Sequence, residues 1–232
     1  MNKKIINRLL RQAEKAKKTG NYIEEINAYQ RLYDLYKHEL GEKHPDTLNA
    51  LGNLGNSYSK IGDYNKALEI VNAVYNAQKE ILGENHPDTI TTLANLANTY
   101  NHLGNYYKAL ELENIVYNER KDILGENHLD TLIALGNVAA SYNALGDYKK
   151  ALELQEEVYD ARKQILGKNH PDTLSALANV AASYSYIGDY NKALELTNSV
   201  YDAMKEIFGE KHPNTIKVLS IVAVSYSNLG YC

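Results

Sequence analysis

The chain has no tryptophan, one phenylalanine, one cysteine and four prolines in 232 residues. A lone cysteine, Cys232, cannot form a disulfide within the chain, which fits a reducing, cytoplasmic setting. No stretch reaches the ~18 apolar residues that a membrane span needs. The N-terminus meets Asn7, Arg8 and Arg11 too soon for the apolar run of a secretory signal. A basic excess is also missing: the net charge of −4 argues against nucleic acid as a ligand. The charge is uneven, with nine Lys/Arg against five Asp/Glu in residues 1–40 and 16 against 24 in the rest. A solvated basic face on a capping unit accounts for this, as does a contact surface for an acidic partner. The signatures of chemistry are absent too. There is no nucleophile elbow, phosphate loop, Cys-x-x-Cys pair or HExxH stretch, so neither an enzyme nor a cofactor site is expected.

What is present is repetition. The phrase His-Pro-Asp-Thr-Leu at His44 to Leu48 returns every 42 residues, at His86, His128, His170 and His212. Gly41, Gly83, Gly125, Gly167 and Gly209 keep the same step, as do Gly62, Gly104, Gly146, Gly188 and Gly230. A fixed period of this length marks a repeat array, in which each unit packs on its neighbours and one solenoid forms. The 20 tyrosines suit a thin two-layer structure, because a tyrosine buries its ring and keeps its hydroxyl near water.

One unit can be read from residues 45–82. Pro45 suits the first helical position and Asp46 the first turn of a helix that runs through Leu48, Leu51, Leu54 and Tyr58. Gly62 ends it, and Asp63 caps a second helix carrying Tyr64, Ala67, Leu68, Val71, Val74, Tyr75 and Ile81. Small residues at Gly55, Ala97, Ala139 and Ala181, and at Ala67, Ala109, Ala151 and Ala193, let the two helices approach. The expectation is an all-α chain of about eleven helices in stacked antiparallel hairpins. Residues 1–232 then form a single solenoid, with a capping hairpin at 1–40, four repeats at 41–208 and an unpaired final helix at 209–232.

The run Leu51-Gly52-Asn53-Leu54-Gly55-Asn56-Ser57-Tyr58, followed by Gly62-Asp63-Tyr64 and Ala67, resembles the tetratricopeptide repeat pattern. The 42-residue period, with Leu-Gly-Glu-Asn-His-Pro-Asp-Thr between units, resembles the longer repeats of kinesin light chain and related bacterial arrays. The resemblance implies a right-handed α-solenoid whose concave face, lined by the first helix of each pair, holds an extended peptide or a partner's helix. It also implies that asparagines on this face bond a ligand's backbone.

Helical spacing puts Asn49, Asn53, Asn56 and Lys60 opposite the core stripe of their helix. Asn53, Asn95, Asn137 and Asn179 repeat one of these places, and asparagine is a mediocre former of helix interiors. Their amides offer donor and acceptor to an extended chain, or bridge neighbouring helices instead. The next row grades from Asn56 and Asn98 to Ala140, Ala182 and Val224, so the groove turns from polar to apolar along the array. Lys60, His102, Ala144 and Tyr186 vary in a way that suits selectivity. The expected peptide-binding set is Asn53, Asn56, Lys60, Asn95, Asn98, His102, Asn137, Asn179 and Tyr186. The final helix is apolar nearly all round, which points either to a fragment of a longer chain, for instance a regulatory segment of a signalling protein, or to a homodimer. Ile221, Val222, Val224 and Tyr226 would form that patch, and a self-assembling scaffold is a further reading. The five histidines lie one repeat apart, of order 10 Å. A zinc ion needs its ligands at about 2 Å, so they are read as helix-start residues rather than as metal ligands.

Overall fold

The structure, a computed structural model, describes residues 3–213 together with Thr215, Ile216, Val218, Leu219, Val222 and Tyr226. Ten helices are bounded within them: α1 Lys3–Thr19, α2 Tyr22–Leu40, α3 Pro45–Lys60, α4 Tyr64–Leu82, α5 Pro87–His102, α6 Tyr106–Leu124, α7 Leu129–Leu145, α8 Tyr148–Leu166, α9 Pro171–Ile187 and α10 Tyr190–Phe208. The described residues beyond them, from Pro213 to Tyr226, are helical, and no strand occurs among the described residues. The chain divides within α6 into two compact units, Met1–Leu112 and Glu113–Cys232.

The repeated phrase sets the helix starts. The ring nitrogen Nδ1 of His44 accepts the Asp46 N–H at 3.2 Å, with Pro45 in the first turn, and His86, His128 and His170 cap α5, α7 and α9 in the same way. The same rings approach the carboxylates of Asp46, Asp88, Asp130 and Asp172 at 3.8–3.9 Å. The second helices start on Asn21, Asp63, Asp147 and Asp189, whose side chains accept a backbone N–H three residues on. Gly62 (φ 81°) and Gly83 (φ 91°) close the two turns of a repeat in a backbone region that side chains avoid. The threonine of the phrase is wholly buried: Thr47 Oγ1 donates to the Gly41 carbonyl at 2.8 Å, and Thr131 does the same to Gly125.

In the first unit, Ile6, Leu9, Leu32, Tyr36 and Ala50 join α1, α2 and α3, while Ile26, Leu54 and Ile70 continue the core into α4. Gly55 lies where α3 meets α4. A Cβ there would stand 3.0 Å from Ile70 Cγ2 and Val71 Cγ2, whereas Ala97, Ala139 and Ala181 fill the same register in later repeats. In the second unit, Leu135, Val158 and Ala176 link α7, α8 and α9, and Leu174, Leu177, Val200, Met204 and Val218 extend the layer through α10. Burial along α4 follows the spacing Ala67, Val71, Val74, Gln78. Ile81, expected in that stripe, is 43% exposed in the last turn.

Candidate functional site

The first helices of successive hairpins leave a concave strip beside each other in both units. In the first unit, Asn49, Gly52, Asn53 and Asn56 of α3 face Asp88, Thr91, Thr92 and Asn95 of α5 around a hollow of about 150 Å³, with Val74 and Gln78 of α4 as its floor. In the second unit, Gly136, Ala140, Asn143 and Ala144 of α7 face Asn179, Ala182 and Tyr186 of α9 over Gln155 of α8, around about 420 Å³. The first hollow is lined mainly by amides and hydroxyls, the second by three alanines and a glycine together with Asn143, Gln155, Asn179 and Tyr186.

The expected binding residues divide into three groups. Asn53, Asn56 and Asn95 line the first hollow; Asn179 and Tyr186 line the second. Asn98 and Asn137 are exposed on their helices without bordering either hollow. Asn53 also spends one donor inside its helix, on the Asn49 carbonyl at 2.9 Å, which leaves its oxygen and second N–H available.

The third group, Lys60 and His102, is committed elsewhere, and Tyr186 shares their mode of contact while lining the second hollow. Lys60 donates to both carboxylate oxygens of Glu25, at 3.0 and 3.2 Å, and lies 5.4 Å from the centre of the Tyr22 ring. The Glu25 side chain is 3% exposed and that of Lys60 33%. Burial raises the phenol pKa of neighbouring Tyr29, with the Glu25 charge as the second cause. His102 stacks on Tyr64 at 4.6 Å and Tyr186 on Tyr148 at 5.2 Å. All three thus rest on the first tyrosine of the preceding hairpin's second helix. The 38-residue step from Tyr22, Tyr64 and Tyr148 to these positions was the signal available in the sequence.

The second helices supply groove residues that spacing on the first helices did not indicate. Gln78 is 6% exposed and its Oε1 has no hydrogen-bond partner. In the second unit Gln155 is tied in: it accepts from Ser183 at 2.8 Å, and Asn143 in turn donates to Ser183 at 3.4 Å. Of the C-terminal patch, Ile221 and Val224 lie outside the described residues. Val222 is 7% exposed and so faces the interior, whereas Tyr226, like Leu219 and Ile216, is exposed. Along α1, Lys4, Arg8, Arg11 and Lys15 border a shallow basic depression. Glu69, Glu111, Glu153 and Glu195 each pair with the lysine three residues earlier on exposed helix faces.

Residues 7–80, 61–118, 95–164 and 130–206 match the tetratricopeptide repeat family. The chain belongs to this family. Tetratricopeptide repeats are protein–protein interaction modules and generally non-enzymatic scaffolds. A kinesin light chain with nearly identical TPR-like repeats, from Podosopora anserina, is 25% identical at TM-score 0.76, over 90% of this chain and 99% of that one. BtubC from P. vanneervenii is 17% identical at TM-score 0.68, over 96% of this chain and 84% of that one. A Rap protein complexed with Competence and Sporulation Factor is 14% identical at TM-score 0.71, covering all of this chain and 65% of that one. No curated protein matches the sequence. No helix among the described residues is long and apolar enough to cross a membrane. No group of three or more metal-ligating side chains occurs among them.

Proposed function

We propose that this chain is a cytoplasmic adaptor that holds an extended segment of a partner protein against the first helices of its hairpins. The observation that carries this reading is the amide lining of the first hollow, where Asn49, Asn53, Asn56 and Asn95 converge from two helices. An extended backbone offers alternating N–H and C=O groups, and side-chain amides satisfy both without selecting side chains. The Rap protein complexed with Competence and Sporulation Factor supports the reading only as a fold that accommodates a bound partner. The first groove suits polar segments and the second, with Ala140, Ala144 and Ala182, suits apolar ones.

The test is calorimetry with a peptide selected from a random display library on the intact chain. Asn53→Ala with Asn95→Ala weakens binding by about 1 kcal/mol for each bond lost. Alanine is the better helix former, so the fold itself is not weakened. Unchanged affinity in the double variant refutes the reading.

A further inference from the structure

We propose that the first groove is built to take an arginine side chain of the bound segment, its guanidinium shared between Gln78 Oε1 and the start of α5 at Asp88. This rests on the groove reading above and specifies what enters it.

The molecule contains its own template for the arrangement. Gln78 occupies a register that repeats at Arg120 and Arg162. In those two copies a guanidinium Nη1 donates to the backbone carbonyl of the aspartate that opens the next helix: Arg120 to Asp130 at 3.1 Å and Arg162 to Asp172 at 3.2 Å. The corresponding aspartate beside Gln78 is Asp88. Glutamine ends two bonds short of a guanidinium and carries no charge, so the junction that arginine occupies elsewhere stays open here. Both Asp88 and Gln78 line the resulting hollow of about 150 Å³.

The unmet hydrogen-bond capacity lies at the same junction. Gln78 is 6% exposed with its Oε1 unpartnered. A buried acceptor without a donor is costly, and a ligand N–H removes that cost. The charge also favours a cation. Asp88 borders the hollow, and no lysine or arginine does. The positive end of the α5 dipole opposes a cation there. Arg120 and Arg162 meet the same opposition at α7 and α9 and still donate. Two acceptors in one junction match the planar fork of arginine better than the single point of a lysine.

The probe is a set of fluorescein-labelled octapeptides, Ser-Asn-Xaa-Ser-Asn-Ala-Leu-Ala, with arginine, lysine, glutamine, methionine or glutamate at Xaa. Anisotropy is read on the full chain and on two variants. Gln78→Arg supplies the guanidinium from within, and Gln78→Met removes the acceptor. Both place side chains that the array already holds in this register, at Arg162 and Met204. Circular dichroism confirms that they fold. The arginine peptide is expected to bind about tenfold more tightly than the glutamine or methionine peptides, as a charge-assisted bond provides. Both variants should reduce that preference to within about twofold. Equal affinity for all five peptides overturns the arginine pocket and leaves the groove reading intact. An arginine preference that survives both substitutions overturns it as well. Failure of every peptide to bind overturns both proposals.

Discussion

At one register of the second helix, the second unit carries Arg120 and Arg162, whose guanidiniums close the junction to the next hairpin, and the first unit carries Gln78, which leaves it open. A similar contrast holds at the ends of the first helices. In the first unit Lys60 reaches a buried carboxylate, Glu25, and His102 stacks on Tyr64; in the second, Tyr186 stacks on Tyr148. Helix starts, turns and core stripes recur with the period, yet the polar chemistry between hairpins does not. Copying a backbone unit therefore leaves each junction free to become a strut or an open hollow, through one side chain.

The contrast can be broken most forcefully at the buried charge. Lys60→Met strands Glu25 in the interior and should lower stability by about 2–3 kcal/mol in urea unfolding. Glu25→Ala should cost less than about 1 kcal/mol, because Ala67, Ala109, Ala151 and Ala193 fill that register in later repeats and Lys60 can turn to water. Equal losses for the two variants would show that the pair is not asymmetric.

Exchanging the junction residues sharpens the comparison at a smaller scale. Arg162→Gln gives the second unit the open junction and should cost about 1 kcal/mol. Gln78→Arg closes the first junction and should raise stability by roughly 0.5–1 kcal/mol. Opposite signs in thermal unfolding are the expected result; matching signs would mean that the two registers are not equivalent.

The smallest effects belong to helical glycines. Gly52→Ala and Gly136→Ala meet nothing within 4 Å and should each add about 0.5–1 kcal/mol. Gly55→Ala loses that gain, since its Cβ would press on Ile70 and Val71 at 3.0 Å. A stabilising Gly55→Ala would show that α3 and α4 can move apart.

The fold was legible in the sequence because histidine, proline, glycine and the apolar stripe all keep one phase, and any one of them locates the others. The same phase placed Asn53, Asn56 and Asn95 on the groove side. It did not reveal that Lys60 is engaged, because its partner Glu25 lies 35 residues away and belongs to a register that otherwise holds alanine. Gln78 is not legible in the sequence for a different reason. It lies on the inner face of a second helix, and its significance is a difference in side-chain length that shows only against the Asp88 carbonyl across the junction. Periodicity reports which face a residue occupies; whether its polar atoms find partners depends on reach.

Partner binding is assigned to the first helices, not to the outer faces of the second helices. Calorimetric titration of a library-selected peptide into three forms of the intact chain tests it most directly: wild type, Asn53→Ala with Asn95→Ala, and Glu69→Ala with Glu111→Ala. The account predicts that the asparagine pair loses about 2 kcal/mol of binding, roughly thirtyfold, while the glutamate pair binds like the wild type. Full affinity in the asparagine variant, or a loss confined to the glutamate variant, would contradict it.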